Sequence, residues 1–359
     1  MRWACPRGAR GCAYGDGVDW TSLPLSRAAV DRAAHRREPA LLAESWRHPG
    51  TRVLMLAGGL LATSAQDDTL CLDLRAPAGL PGLGPDDAAE VAGDHLVVFL
   101  GEEPDGSAYL AVAVADVTIL EHAVRSAAGP GLGGMDTALD PAWGDPQPVA
   151  GPRWSSLRDV GHQLGDRDAG LAATAVGLSA WHERHPRCSR CGAPTVPAMA
   201  GWTRVCTVDG SEHYPRTDPA VIMAVLDDQN RLLLGHAAHW PERRFSTLAG
   251  YVEPGESLES AVRREVGEEV GVRIGEVVYR GSQPWPFPAS LMLAFVARAT
   301  TTALTVDGVE VTQARWFTRA ELAAEVDTGE VMLPMRTSVA RALIEEWFGG
   351  RLGGGPAPS

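Results

Sequence analysis

The run Gly250–Val272, GYVEPGESLESAVRREVGEEVGV, constrains this chain more than any other segment. Gly250 and Gly255 break a loop, and Glu256 then opens a helix on which carboxylates recur at Glu265, Glu268 and Glu269. At about 100° per residue these three share an arc of roughly 100°. Like charges so placed repel, and the helix loses about a few tenths of a kcal/mol per pair unless something compensates. A divalent cation would do so. Mg²⁺ takes carboxylate and water oxygens and binds where the phosphates of a substrate complete its shell. Arg264, beside Glu265, is placed to tie the loop carboxylates to the helix. A solvated acidic face is the plainer reading of three such residues taken alone.

The rest of the chain narrows the function classes. Its 359 residues leave room for two or three domains at about 100–200 residues each. With 45% hydrophobic and 21% charged residues, it is neither a disordered chain, a collagen nor a small disulfide scaffold. No apolar run reaches the roughly 18 residues of a membrane helix, so no membrane partner is expected. Met1 to Trp20 is broken by Arg, Gly and Pro and does not read as a secretory signal; cytoplasmic is the default location. The net charge is −13, and all 32 basic residues are Arg, with no Lys. An acidic chain has no broad attraction for nucleic acid, though a metal can still bring in a phosphate ligand.

The expected architecture is α+β. Residues 1–25 read as a disordered tail. Residues 26–152 read as an N-terminal α+β domain, with a helix over Ser26–Trp46 and strands at Thr51–Ala57, Leu70–Leu74, His95–Leu100 and Ala108–Val114. Pro141–Pro152 is a linker by composition. Residues 153–186 read as a helical connector, with Asp166 or Asp168 as cap. A short polar segment, 187–217, holds clustered Cys. Residues 218–348 form a second α/β pattern. Its strands are Ala220–Leu226, Arg231–Leu234, Val277–Tyr279 and Leu291–Ala297; its helices are Glu256–Val270 and Thr337–Phe348, the latter capped by Thr337 or Ser338. Residues 349–359 read as a disordered tail.

Gly250, five residues, Glu256, seven residues, then Arg264-Glu265-Val266-Gly267-Glu268-Glu269-Val270-Gly271-Val272 resembles the full Nudix box without departure. The resemblance implies the Nudix fold, a mixed sheet between helices, and hydrolysis of a nucleoside diphosphate linked to another group. It implies Mg²⁺ or Mn²⁺ held by Glu265 and Glu269, with Glu256 and Glu268 supporting and the Ala249 carbonyl as a further ligand. Glu268 or an adjacent carboxylate would orient or deprotonate water.

After the box comes Ser282-Gln283-Pro284-Trp285-Pro286-Phe287-Pro288-Ala289-Ser290-Leu291-Met292. Three prolines hold an extended loop at low entropy cost. Trp285 or Phe287 could stack on a base or nicotinamide, with Gln283 and Ser290 as hydrogen-bonding groups. The competing reading is a connection whose aromatics serve packing. This run resembles the signature of the NADH pyrophosphatase branch at every position. The resemblance implies that Gln283 to Ser290 (Gln283, Pro284, Trp285, Pro286, Phe287, Pro288, Ala289, Ser290) line a dinucleotide site. By weaker local similarity, Tyr214, Tyr251 and Ala340 are substrate contacts and Glu310 a metal ligand.

Cys188, Cys191 and Cys206 lie within 19 residues. In a reducing compartment such a cluster reads as a metal site. Cys188-Ser189-Arg190-Cys191-Gly192 is a knuckle that lets two thiolates face one ion. The resemblance to the branch implies a degenerate NADH-pyrophosphatase-like N-terminal domain over 26–152, a zinc ribbon and the catalytic domain, in that order; the ribbon of the branch repeats Cys-x-x-Cys, but here the second knuckle is Cys206-Thr207-Val208-Asp209. Asp209 or His213 could complete a structural Zn²⁺ site, since zinc accepts carboxylate and imidazole. Cys5, Cys12 and Cys71 read as ordinary thiols.

The leading expectation is a metal-dependent enzyme that splits NADH, and NAD⁺ less well, into reduced nicotinamide mononucleotide and AMP. Removal of NAD caps from RNA is the same chemistry on a larger leaving group. Arg184, Arg187, Arg190 and Arg204 could form a local patch for RNA, though solvated surface is the commoner fate of such residues. The alternatives are a broad ADP-sugar or dinucleotide hydrolase and a noncatalytic nucleotide sensor. A second copy of the chain, as a homodimer, is the one protein partner considered.

Overall fold

The computed structural model describes residues 18–38, 40–80, 82–84, 95–115 and 152–353. Of the linker expected at Pro141–Pro152, residues 141–151 lie outside these residues, as do Cys5, Cys12 and most of both expected tails. The chain divides into two compact units. One comprises Thr21–Pro219 and Ser282–Met292; the other comprises Ala220–Gly281, Leu293–Ser359 and the N-terminal residues up to Trp20.

The first unit is built on a seven-stranded mixed sheet. Its strands are β1 (Arg52–Ala57), β2 (Leu60–Gln66), β3 (Thr69–Leu72), β4 (Leu74–Arg75), β5 (His95–Glu102), β6 (Ala108–Val114) and β7 (Arg153–Ser155). Helix α1 (Leu41–Arg47) precedes them, and α2 (Leu157–Val160) and α3 (Asp166–Arg184) follow. The main path runs β3-β2-β1-β6-β5, with β4 on β1 and β7 on β2. β1 and β6 are parallel, whereas β1–β2, β1–β4, β2–β3, β2–β7 and β5–β6 are antiparallel.

Both faces of the sheet are covered, as the nearly continuous apolar runs of β1 and β6 demand. Leu54, Leu56, Val98 and Ala111 pack against Leu171, Ala172, Ala175 and Leu178 of α3. Met55, Phe99, Leu110 and Val112 form the opposite core with Leu41 of α1. Residues 153–186, expected as a connector, are therefore part of this unit, with β7 in its sheet and α3 in its core.

Other expectations change for physical reasons. Ser26–Trp46 is helical only at a 3₁₀ turn, Ala34–Arg36, and at α1. Ala33 sits at φ 39°, and Asp31 bridges to Glu102 instead, so a tertiary contact overrides the helix propensity of Ala and Arg. Leu23 and Leu25 are each 2% exposed, so the end of the expected N-terminal tail is packed. α3 starts at Gly165 without a side-chain cap. Asp168 is buried and accepts the Leu72 N–H (2.9 Å), tying α3 to β3.

A three-stranded sheet, β8 (Thr195–Ala198), β9 (Thr203–Cys206) and β10 (Glu212–His213), carries the cysteines. Arg204 is not solvated surface. It is buried, donating through Nε to Thr195 Oγ1 (2.6 Å) and through Nη1 to His182 Nδ1 (2.8 Å). His182 Nε2–H therefore donates to Gly201 O (2.8 Å), and burial drops the imidazole pKa to about 4.

The second unit holds most of a six-stranded sheet. Its strands are β11 (Asp218–Leu226), β12 (Leu232–Ala237), β13 (Leu248–Tyr251), β14 (Ile274–Trp285), β15 (Ser290–Ala299) and β16 (Val311–Phe317). The order is β14-β15-β11-β12-β16, with β13 antiparallel on β11. Helices α4 (Leu258–Val270), α5 (Arg319–Asp327) and α6 (Val339–Phe348) complete it. Val262, Val266 and Val270, one turn apart on α4, pack on Val221, Met223 and Phe295. Ser257 caps α4, and Ser338, of the two candidates, caps α6. The last described residues are ordered: Leu352 is buried, and its N–H donates to Glu345 Oε1 (3.2 Å).

Candidate active site

The turn-spacing that buries Val262 and Val266 sets Glu265 and Glu269 at the edge of the same stripe, 8% and 7% exposed. Arg264 holds the carboxylates in place. Its Nε and Nη2 donate to the two oxygens of Glu256 (2.9 Å each), and its Nη1 donates to Glu265 Oε1 (2.8 Å) and Glu268 Oε2 (3.1 Å). Nη2 also donates to Tyr251 O (2.9 Å), which pins β13 to the helix. The planar five-donor fork of Arg suits this task in a way an ammonium would not. Glu256 is drawn down by Arg264, and Arg264 is held up by Glu256 first.

Gly250 faces Glu265 so closely that a Cβ there would meet the carboxylate carbon at 1.9 Å. Ala249, the neighbouring residue on β13, pairs with Ile222. Glu269 Oε2 is buried without a hydrogen-bond partner. Burial, then the charges of Glu265 and Glu310, push the Glu269 pKa up to about 8; burial also raises Glu265.

Asp307, not singled out in the sequence, organises the loop that carries Glu310. Its carboxylate accepts the N–H groups of Val309 (3.2 Å), Glu310 (3.1 Å) and Val311 (2.9 Å). Its own N–H donates to Glu269 O (3.1 Å). The signal was an Asp-Gly pair three residues before the acidic ligand, a turn former.

Glu265 and Glu269 are buried beside each other while Glu310 is exposed, and the unpartnered Oε2 of Glu269 calls for a proton or a cation. Its donors are all oxygens, which suits Mg²⁺ or Mn²⁺. The residues present therefore fit the ion, with Glu265, Glu269, Glu310 and the Ala249 carbonyl as the donors on offer.

The run Gln283–Ser290 belongs to the unit that holds α3. It is a hairpin, not an extended loop: Gln283 to Trp285 end β14 and Ser290 opens β15. Gln283 and Ser290 are buried. Trp285 and Phe287 are half-buried against the α3 core, edge to face at 5.0 Å. The Arg158 guanidinium, from α2, lies 4.8 Å from the Phe287 ring and 5.7 Å from Trp285. Pro286 is buried, Pro288 exposed, and Pro284 and Ala289 lie between. Of the weaker candidates, Tyr214 and Tyr251 are exposed, with the Tyr214 hydroxyl on Glu212. Ala340 is buried beside the α6 cap.

Cys188, Cys191, Cys206 and Asp209 each offer one ligand atom, all within 4.8 Å of one another. His213 is not in that set; its Nε2 lies 3.3 Å from Ser211 Oγ. A hydrogen bond with the Ser211 hydroxyl, first among several, brings the Cys188 thiol down to about 6, while the Cys206 thiol is pushed up to about 11. Three sulfurs and an oxygen fit Zn²⁺.

Residues 216–335 match the NUDIX domain, 183–214 the NADH pyrophosphatase zinc ribbon domain, and 50–181 the NADH pyrophosphatase-like rudimentary NUDIX domain. The NAD-capped RNA hydrolase NudC of Mycobacterium bovis is 42% identical over 214 residues, 56% of this chain and 68% of that protein. The protein of the same name from Mycobacterium tuberculosis matches at the same identity and coverage. The NAD-capped RNA hydrolase NUDT12 of Homo sapiens is 41% identical over 198 residues, 52% of this chain and 43% of that protein. The chain belongs to the Nudix hydrolases, in their NADH pyrophosphatase branch.

Proposed function

We propose that the chain hydrolyses the pyrophosphate bond of NADH, and of NAD⁺ less readily, releasing reduced nicotinamide mononucleotide and AMP, and that it also removes NAD caps from RNA. The intact Nudix carboxylate set, with Glu269 Oε2 buried and unpartnered, carries the hydrolytic part. The run Gln283 to Ser290 and the names of the relatives support the substrate. The acidic, thiol-bearing chain supports a cytoplasmic setting. A homodimer remains an expectation, checked by sedimentation.

Glu265, Glu269 and Glu310, with the Ala249 carbonyl, would hold the divalent ion. When bound, the ion supplies positive charge to the phosphoryl oxygens as negative charge develops there. Arg264 keeps Glu256, Glu265 and Glu268 in fixed positions. Glu268, whose side chain is 63% exposed, or a neighbouring carboxylate, orients or deprotonates the attacking water. The water oxygen bonds to phosphorus, and the bridging P–O bond breaks toward the departing mononucleotide. Gln283 to Ser290 recognise the dinucleotide.

Product analysis with NADH, NAD⁺, ADP-ribose and NAD-capped RNA in Mg²⁺ or Mn²⁺ tests the proposal. Nicotinamide mononucleotide and AMP from NADH are expected, faster than from NAD⁺. Much faster cleavage of ADP-ribose would mark a broad ADP-sugar hydrolase, and no turnover with any of them a sensor.

A further inference from the structure

The two knuckles of the ribbon are built alike, but only one ends in a thiol. In the first, the Cys188 N–H donates to Ala193 O (2.8 Å) and the Gly192 N–H to Cys188 O (2.9 Å), with Gly192 at φ 75°. In the second, the Cys206 N–H donates to Ser211 O (2.9 Å) and the Gly210 N–H to Cys206 O (3.2 Å), with Gly210 at φ 68°. Backbone N–H groups address the leading sulfur in both. Arg190 donates to Cys188 Sγ (3.4 Å), and Val208 and Asp209 donate to Cys206 Sγ (3.4 and 3.5 Å). Position for position, Asp209 stands where Cys191 stands, and Ser211 where Ala193 stands.

The second exchange has a physical use. A carboxylate has two oxygens and must be turned to offer one. Ser211 does this through its hydroxyl and its N–H, which donate to Asp209 Oδ1 at 2.6 and 3.0 Å. Oδ2 is left facing Cys188 Sγ at 4.0 Å. The same hydroxyl lies 3.4 Å from Cys188 Sγ. A thiolate needs no such steering, and Ala193 provides none. Tetrahedral zinc, with sulfur at about 2.3 Å and oxygen at about 2.0–2.2 Å, has ligand–ligand edges of roughly 3.5–3.8 Å. Cys191 Sγ and Cys206 Sγ are already 3.5 Å apart.

We propose that the ribbon is a Cys₃Asp zinc site in which Asp209 Oδ2 is the fourth ligand and Ser211 its positioning residue. The formal charge equals that of four thiolates, but one soft donor has become a hard one. Asp209 and Cys191 are the exposed members of the set. The zinc is therefore held less tightly than by four thiolates and exchanges from its solvent side.

The test uses the full chain purified without chelator, competition against a chromophoric zinc chelator, and Co²⁺ in place of Zn²⁺. Bound zinc is expected in the wild type. Asp209→Asn and Ser211→Ala should each weaken zinc binding by about 10–100-fold, and Ser211→Thr should restore it, as for other groups that orient a ligand. His213→Ala should change it by less than about twofold. Asp209→Cys should tighten binding and raise the sulfur-to-cobalt absorption by about one third, from three thiolates to four. An unchanged cobalt spectrum in Asp209→Cys overturns the proposal, and it does so even if Asp209→Asn fails to fold. Loss of zinc in His213→Ala with none in Asp209→Asn, or a wild type without zinc, overturns it equally.

Discussion

An α-carbon without a side chain at position 250 lets Glu265 lie against β13, since a Cβ there would fall 1.9 Å from the carboxylate carbon. The obstructing atoms are the far end of a flexible side chain, so Gly250→Ala should displace Glu265 and leave the fold intact. Glu265→Gln, Glu269→Gln and Gly250→Ala are each expected to lower kcat by at least about 10²-fold, the scale of a lost electrostatic partner. Thermal unfolding should change little. Near-normal turnover at saturating Mn²⁺ in any of the three would remove that residue from the ion site. The carboxylates were legible in the sequence because their spacing on a helix is strict. The hydrogen bonds of Arg264 to Tyr251 O and of Asp307 to its own loop were not, because they join backbone to side chain across residues that no periodicity links.

Elements were legible where local pattern and tertiary packing agree. α4 shows a cap, a valine stripe and a closing Gly271 at φ 73°, and it was read to within two residues. α5 went unread because its apolar content is thin, although Thr318 and Glu321 form a full capping box. The hairpin of Trp285 and Phe287 looked like a loop because its prolines hide the ends of two strands. Since Trp285 packs on the α3 core, Trp285→Ala is expected to lower stability as well as NADH kcat/KM, the latter by about 1–3 kcal/mol, the scale of a lost base stack. Comparison with a substrate lacking nicotinamide separates the two effects: an equal loss on both substrates would leave Trp285 a packing residue only.

His182, on the last turn of α3, supplies a pH test. Its folded-state pKa of about 4 lies below the ordinary 6.5. The unfolded chain thus takes up the proton first, and the contribution, up to about 3 kcal/mol, is complete above pH 6.5 and lost as pH falls toward 4. Urea midpoints measured between pH 7 and 4 should fall less in His182→Gln than in the wild type; parallel profiles would refute the assignment.

For the molecule as a whole, composition was a guide to what the chain does not attract. The net charge is −13, and of the expected patch Arg204 is buried while Arg184, Arg187 and Arg190 are exposed, which leaves three arginines for an RNA body. Cleavage of NAD-capped RNA should therefore depend only moderately on salt, with a slope of log kcat/KM against log salt no steeper than about −2.1, equivalent to three phosphate contacts. A slope of about −3 or steeper would reveal a basic track beyond these three arginines. The N-terminal unit was legible as α+β from its own strands, but as the degenerate N-terminal domain of the branch only through the resemblance carried by the rest of the chain, because it holds none of the box residues by which the catalytic fold is read.

The Asp307 loop bears on timing. Its turn is closed by its own carboxylate, so the winding of the chain near Glu310 draws on no contact with an ion. Uptake then waits on no folding step in this loop. The clock belongs to the ion, which must shed water before it can seat, and Mg²⁺ sheds water reluctantly.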